Sequence, residues 1–510
     1  MEKKIETYKG LYAMHKYWGK KPFNQISRFI EKYTEENETV MDCFCGSGVT
    51  LVESVKLNRK CIGIDLNPMA IKLTKASLTY IDINHLKEAY KNIENNVKEK
   101  IDSLYKINID GQETITTHTI WKDGQPIEVW YRTKDSKKNI RQGNEEDINM
   151  ANNPLIEAKW YPEDIMFENS RINVPLNRKV SDLFTKRALV GLSLILDEIN
   201  KIKDDEIRNT LELTFTGALS QASKLVFVIR GRKKNGVKTN KAEVGSWVVG
   251  YWVPEEHFEI NVWNCFENRF KRILKGKEDV NNIVFNDQKE LPSITDKATV
   301  INGSATNIPC LDDSVDYVFI DPPHANRILY MEMSLMWNSW LKLSDNIDWN
   351  NEIVISEAKS RGKDKDDYNK LMNLAFAEIK RVLKKDKYFS MAFNCMDNKT
   401  WLNTLNIFVN HGFTLENITP LEYSATSVVQ DNRKNALKTD FVLTFKNSYR
   451  ENLDEIVFNE NIEELKDKIY NLTQDKEYEV YDIINLLYIE TIPKSYIYKI
   501  SDIINILNKK

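Results

Sequence analysis

Apolar positions along this chain first form short unbroken runs and then shift to helical spacing. Thr39–Asp42 and Cys61-Ile-Gly-Ile-Asp65 read as buried parallel strands, each closed by an aspartate. Between them, Val49, Leu51, Val52 and Val55 give residues 47–57 one apolar helical face. Ile26, Phe29, Ile30 and Tyr33 do the same for residues 22–33, and a further helix is predicted from Met69 to Leu78. Strand, glycine turn, helix, strand and acid make up half of a doubly wound α/β sheet.

That rhythm stops near residue 80. Up to about 290 the pattern predicts long charged helices, a hairpin over Thr116–Tyr131 turning at Asp123-Gly124, and a helical block at 180–225. It resumes with Ala298-Thr-Val-Ile-Asn-Gly and Tyr317–Asp321. A helical hairpin (331–343), helix 366–383, strand Tyr388–Phe393, helix 400–411 and strand Asp440–Phe445 then follow. The expected architecture is a Rossmann-like α/β domain, residues 1–80 and 295–447, split by a mostly helical insertion at 81–294. The remainder, 448–510, predicts an acidic helix (Glu451–Leu472) and two short apolar ones (478–488 and 494–508). These form either a small winged-helix-like or dimerising module or a cap on the core.

Composition narrows the class without changing this outline. The chain has 510 residues, 42% of them apolar and 29% charged, with only 18 Gly and 13 Pro, which suits a globular protein of several domains. Its net charge of −3 means that any nucleic acid must be held by local basic patches. Six cysteines (Cys43, Cys45, Cys61, Cys265, Cys310, Cys395) include no C-x-x-C pair and are expected to be reduced and buried, with no metal site. The N-terminal residues lack a signal peptide's apolar core and no window spans a membrane, so a cytoplasmic location is expected.

Two motifs carry the candidate chemistry. In Asp42-Cys-Phe-Cys-Gly46-Ser-Gly48 the glycines let a strand-to-helix turn approach a ligand closely. Asp65 ends the next strand, where a carboxylate can accept both ribose hydroxyls. No Lys-Ser/Thr follows, as it would in a phosphate-binding loop, so a nucleoside without pyrophosphate is indicated. Asp321-Pro322-Pro323-His324 is the sharper motif. A carboxylate and the Pro322 carbonyl can accept both N–H bonds of an exocyclic base amine, and prolines hold such acceptors rigidly. An aromatic ring in fourth place can stack on a base taken out of its helix.

With both motifs in view, the sequence resembles the amino-group DNA methyltransferases, which methylate adenine N6 or cytosine N4 with S-adenosylmethionine. Phe44-Cys-Gly-Ser-Gly48 matches the family's F-x-G-x-G, Gly63-Ile-Asp-Leu-Asn67 its acidic strand end, and Asp321-Pro-Pro-His324 its D-P-P-Y. His15-Lys16-Tyr-Trp18-Gly-Lys-Lys-Pro22 is similar to its cofactor-side motif. The resemblance implies that His15, Lys16, Trp18, Asp42, Phe44, Gly46, Gly48, Asp65, Asn67 and Ser304 form the cofactor site. It also implies that Asp321, Pro322, Pro323 and His324 are catalytic, and that adenine is favoured over cytosine. Trp121–Tyr131 resembles the hairpin of a zinc-ribbon subgroup whose cysteines are absent here. An RNA base methyltransferase, or a catalytically silent DNA-binding subunit, are the alternatives.

For DNA, the basic run Arg230-Gly-Arg232-Lys233-Lys234-Asn-Gly-Val-Lys238 suggests phosphate contacts, and any nuclease would be a separate restriction or defence subunit. Trp247, Tyr251, Trp252 and Trp263 read as core, His118 and His257 as ordinary structural residues, and Arg361–Tyr368 as a plain surface loop.

Overall fold

A computed structural model describes residues 6–133, 137–231, 233–234, 237–238, 241–248, 250–284, 296–393, 397–421, 440–448, 455–474 and 478–507. Its centre is a seven-stranded sheet: β1 (Thr39–Asp42), β2 (Lys60–Asp65), β3 (Ala298–Asn302), β4 (Val315–Ile320), β5 (Leu383–Phe393), β6 (Phe413–Leu421) and β7 (Asp440–Asn447). The spatial order is β3-β2-β1-β4-β5-β7-β6. Strands β1 to β5 run parallel, and β7 is antiparallel to both β5 and β6. This is a Rossmann-like α/β sheet with one antiparallel strand, β7, inserted near its edge. Strand order reverses between β1 and β4, which opens a crevice at their carboxyl ends. Register there is fixed by Val40 opposite Tyr317 and Met41 opposite Val318, so the loop after Asp42 and the turn at Asp321 emerge side by side.

Most predicted elements are present with small boundary shifts: helices Phe23–Tyr33, Val49–Lys56 and Pro68–Ala76, and the hairpin Gln112–Lys122/Gln125–Arg132. The predicted helical hairpin at 331–343 is instead one helix, Tyr330–Trp340, followed by a short 3₁₀ turn. Every residue of that helix from Met331 to Trp340 is buried, which leaves no solvent-facing break for a second helix. Strand β6 was not anticipated.

Residues of the insertion share one apolar core with the cofactor half: Leu11, Met14, Leu51, Ile93, Ile195, Phe215, Trp263 and Trp337 belong to a single cluster. Lys277, on helix Val262–Val284, is buried and donates to the carbonyls of Ala76 (2.8 Å) and Thr79 (2.5 Å) at the end of helix Pro68–Ala76. Arg187 and Glu259 form a fully buried bidentate pair inside the insertion. Beyond the sheet, Tyr488 and Ile484 pack with Trp401 and Phe441 in a second core cluster, so residues 455–474 and 478–507 cap the β6–β7 side of the sheet. Among the described residues no helix is long and apolar enough to cross a membrane.

Candidate active site

A cleft opens at the switch point between β1 and β4. Asp42, Phe44, Gly46, Asp65, Asn67, Ser304, Asp321 and Pro323 line it, together with Trp18 from the N-terminal strap. His15, Lys16, Gly48, Pro322 and His324 are not in its lining, whereas Tyr17, Lys20, Lys21, Tyr330 and Glu352 are.

The glycine turn is tied down from both ends. Asp42 accepts from the Phe44 N–H (3.0 Å) and the Thr50 hydroxyl (2.7 Å), so it organises the loop from behind. Asp65 accepts from the Gly46 N–H (2.8 Å) and the Asn67 N–H (2.9 Å), which fixes its carboxylate at the mouth of the turn with further lone pairs free. Gly46 (φ +52°) and Gly48 (φ +79°) hold left-handed backbone. A Cβ on Gly46 would stand 3.1 Å from the Tyr17 ring, and one on Gly48 2.9 Å from Thr74, so side chains are excluded where a ligand must approach.

The strap closes this wall. Tyr17 stacks on Tyr330 (centroids 5.8 Å apart), and Trp18 stacks on Trp337 (5.0 Å) with its edge against Trp247 (5.4 Å). His15 bonds the Lys16 carbonyl (2.7 Å) and Thr216 (3.2 Å), and burial lowers its pKa to about 3, so its ring is neutral. Lys16 donates to the carbonyls of Trp247 and Val248 (2.6 and 2.5 Å), away from the cleft. Lys20 donates to the Tyr12 and His15 carbonyls, both at 2.9 Å, and burial brings its pKa down to about 7. Among the described residues it meets no carboxylate.

Asn67 joins two helices. It caps helix Pro68–Ala76 through the Met69 N–H (3.1 Å) and donates to Ser334 (2.8 Å), and its own side-chain oxygen accepts from Asn338 (3.2 Å). Ser304 turns inward on itself, bonded to Thr306 (2.8 Å).

On the β4 side, Lys21 bridges Asp321 (3.0 Å) and Asp440 (3.2 Å) through one carboxylate oxygen of each. The other Asp321 oxygen, Oδ1, is buried without a hydrogen-bond partner, and so is His324 Nε2, which lies 3.5 Å from it. Tyr368 donates to the Pro323 carbonyl (2.8 Å) and leaves that turn rigid. The expected surface loop at 361–368 is therefore corrected. Arg361 is buried between the rings of Phe167 and Trp349 and bonded to Glu332 and Glu352. Two buried acids required a buried cation, a requirement invisible in a run of mixed charges.

The cleft is acid-rich. Burial raises Asp42 to about 7, and the Asp321 and Asp65 charges add to this against the Thr50 and Phe44 donors. Burial raises Asp65 to about 6, with Glu352 contributing, while the N–H groups of Asn67 and Gly46 pull it back.

Residues 2–76 match the DNA methylase family. Over 355 residues the chain is 22% identical to the Type II methyltransferase M.MjaII of Methanocaldococcus jannaschii, covering 64% of this chain and 61% of that protein. It is 39% identical over 69 residues to the Type II methyltransferase M.BglI of Bacillus subtilis, covering 14% of this chain and 20% of the relative. The chain thus spans less than two thirds of the length of these relatives. A solved 16S rRNA (adenine(1408)-N(1))-methyltransferase from Catenulisporales acidiphilia overlaps 35% of this chain and 74% of its own, at 9% identity and a TM-score of 0.19.

The DNA methylase match ends before the basic run, where Arg230 pairs with Glu256 and Glu128. Arg232 lies outside the described residues, and of Lys233, Lys234 and Lys238 only the backbone is described, in a short hairpin. Trp247, Tyr251 and Trp263 are buried as expected, but Trp252 is 55% exposed. Cys43, Cys45, Cys61 and Cys265 are buried free thiols, Cys310 is half-buried, and Cys395 lies outside the described residues.

Proposed function

We propose that the chain is a DNA methyltransferase acting on the exocyclic amine of a base turned out of its duplex, adenine N6 in preference to cytosine N4. The observation that carries this reading is Asp321 Oδ1: a buried, unpartnered carboxylate oxygen on the wall that also holds Gly46 and Asp65. S-adenosylmethionine supplies an electrophilic methyl group on a cationic sulfur. Asp65 would accept its ribose hydroxyls, Gly46 would leave room for close approach, and Lys20 would face its carboxylate. The excess of acids around the cleft suits its positive sulfur.

Toward the base, Asp321 Oδ1 and the Pro322 carbonyl accept the two amine N–H bonds, which draws lone-pair density back onto nitrogen. When the amine takes up the methyl group, Asp321 would accept the proton that the amine gives up. Lys21 holds the other carboxylate oxygen, so the orientation is set before the base arrives. To the insertion, joined to the strap through Lys16 and Trp247, we assign target recognition, and to its basic run at Lys233, Lys234 and Lys238 the phosphate contacts.

The test is tritiated-methyl transfer to duplex DNA and to total RNA by the chain and by Asp321→Ala. DNA should be labelled and RNA should not. The variant should lose about 10²–10⁴-fold or more in rate while still binding S-adenosylmethionine. Equal labelling by the variant, or labelling of RNA alone, would overturn the assignment.

A further inference from the structure

The catalytic turn presents two unsatisfied atoms where an acceptor alone would serve an amine. Asp321 Oδ1 and His324 Nε2 are both buried without hydrogen-bond partners, and they face each other across 3.5 Å, beyond a good hydrogen bond. Their side chains remain about a fifth exposed, 21% and 22%, and Asp321 of the pair lines the cleft. Neither atom is free to drift. Lys21 fixes the far oxygen of Asp321. The turn beyond is held by the Arg327 N–H on the His324 carbonyl (3.0 Å) and the Ile355 N–H on the Ala325 carbonyl (3.2 Å). Ala325 itself sits at φ +51°, a costly conformation for a residue with a side chain, so the direction of His324 is imposed by its surroundings.

An oxygen acceptor beside a ring N–H donor, held a hydrogen-bond width apart, complements an amine beside a ring nitrogen. Bidentate reading of a base edge by one acceptor and one donor is how amide side chains recognise adenine. On the proposed methyltransferase reading, we infer that His324 reads the base: in its Nε2–H tautomer it donates to the ring nitrogen bonded to the same carbon as the target amine, N1 of adenine or N3 of cytosine. Asp321 accepts from the amine at the same time, so the two residues grip one edge. The imidazole thus replaces a purely stacking ring with a directional contact. It also registers the amine over Asp321, because the base can slide along a stacking face but not along a two-point contact.

The target site is first located by single-molecule sequencing of DNA from cells expressing the chain. Methyl transfer is then measured on the unmodified duplex and on duplexes carrying 1-deazaadenine (or 3-deazacytosine, if the base is cytosine) at the target, with 7-deazaadenine as the control for an adenine target. The full-length chain is compared with His324→Phe, which keeps a ring and removes the donor, and with His324→Gln, which keeps a donor. Cofactor binding by calorimetry shows that each variant is folded.

The expected result is a loss of about 10- to 100-fold in kcat/KM for the full-length chain on the analogue lacking the adjacent nitrogen. His324→Phe should be slow on the unmodified duplex and show no further loss on that analogue, and His324→Gln should recover part of both effects. Equal losses on the analogue for the chain and His324→Phe, or a His324-dependent loss on 7-deazaadenine instead, would overturn the inference and leave the methyltransferase reading intact. An unmodified duplex that takes no methyl overturns both.

Discussion

Asp42 and Asp65 are pushed up by burial to about 7 and about 6, while both are held by backbone and hydroxyl donors that favour their charged forms. A cationic ligand favours the ionised carboxylates, so binding releases protons and affinity should rise with pH across the window from about 5 to about 8. The ratio of S-adenosylmethionine to S-adenosylhomocysteine affinity isolates the sulfonium, because the two differ in that charge; it should climb with pH, by at most about tenfold per unit per proton released. A flat ratio by calorimetry would show that these acids do not sense the sulfur. The sign for the ligand-free chain is opposite: with folded pKa values above the unfolded ones, its stability contribution from these acids falls as pH rises from about 4 through about 7. At Gly48, φ +79° and Thr74 at 2.9 Å leave no room for a methyl group. Gly48→Ala should lower stability by about 1–3 kcal/mol, read from urea midpoints, and weaken cofactor binding with it.

The element that sequence reading misjudged most is the segment after helix Tyr330–Trp340. Arg361 bridges Glu332, on that helix, and Glu352, which lines the cleft and accepts from the Met331 N–H (3.1 Å). Arg361→Met strands two buried carboxylates and should cost about 3–5 kcal/mol, with KM for DNA rising as the Glu352 wall loosens. Unchanged urea stability would mean that the acids are solvated. Strands β1, β2 and β4 were legible because each is a short, mostly apolar run with an acid at or just past its end: Asp42, Asp65 and Asp321. Strand β6 was hidden: Thr414, Asn417 and Thr419 interrupt it, and its register slips between Leu415 and Asn417, so neither alternation nor a continuous run appears. In the site, Asp42, Gly46, Asp65 and Asp321 were readable as motif letters. Lys20 and Lys21 stood in the same motif as His15 and Lys16, but only the fold shows which lysines face the cleft. Side-chain direction on an irregular strap follows no period.

Across the whole molecule, charge is close to balanced, so DNA affinity must come from few contacts. Replacing Lys233, Lys234 and Lys238 by Glu should weaken DNA binding and flatten the dependence of log K on log salt by about 0.9 for each phosphate no longer neutralised. Fluorescence anisotropy at several salt concentrations reads this, and an unchanged slope would remove the basic run from the interface. The insertion is bonded to the N-terminal segment at Lys16, His15 and Lys277 and shares its apolar core. The pairing of Val40 with Tyr317 has a further consequence, for the ribosome. These partners are 317 − 40 = 277 positions apart, so at about 5–20 residues per second the nascent β1 edge waits about 14–55 s for its neighbour to emerge. Throughout that interval the first two strands carry an apolar edge that nothing later in the chain can yet cover, and yield during synthesis will depend on whatever shields it.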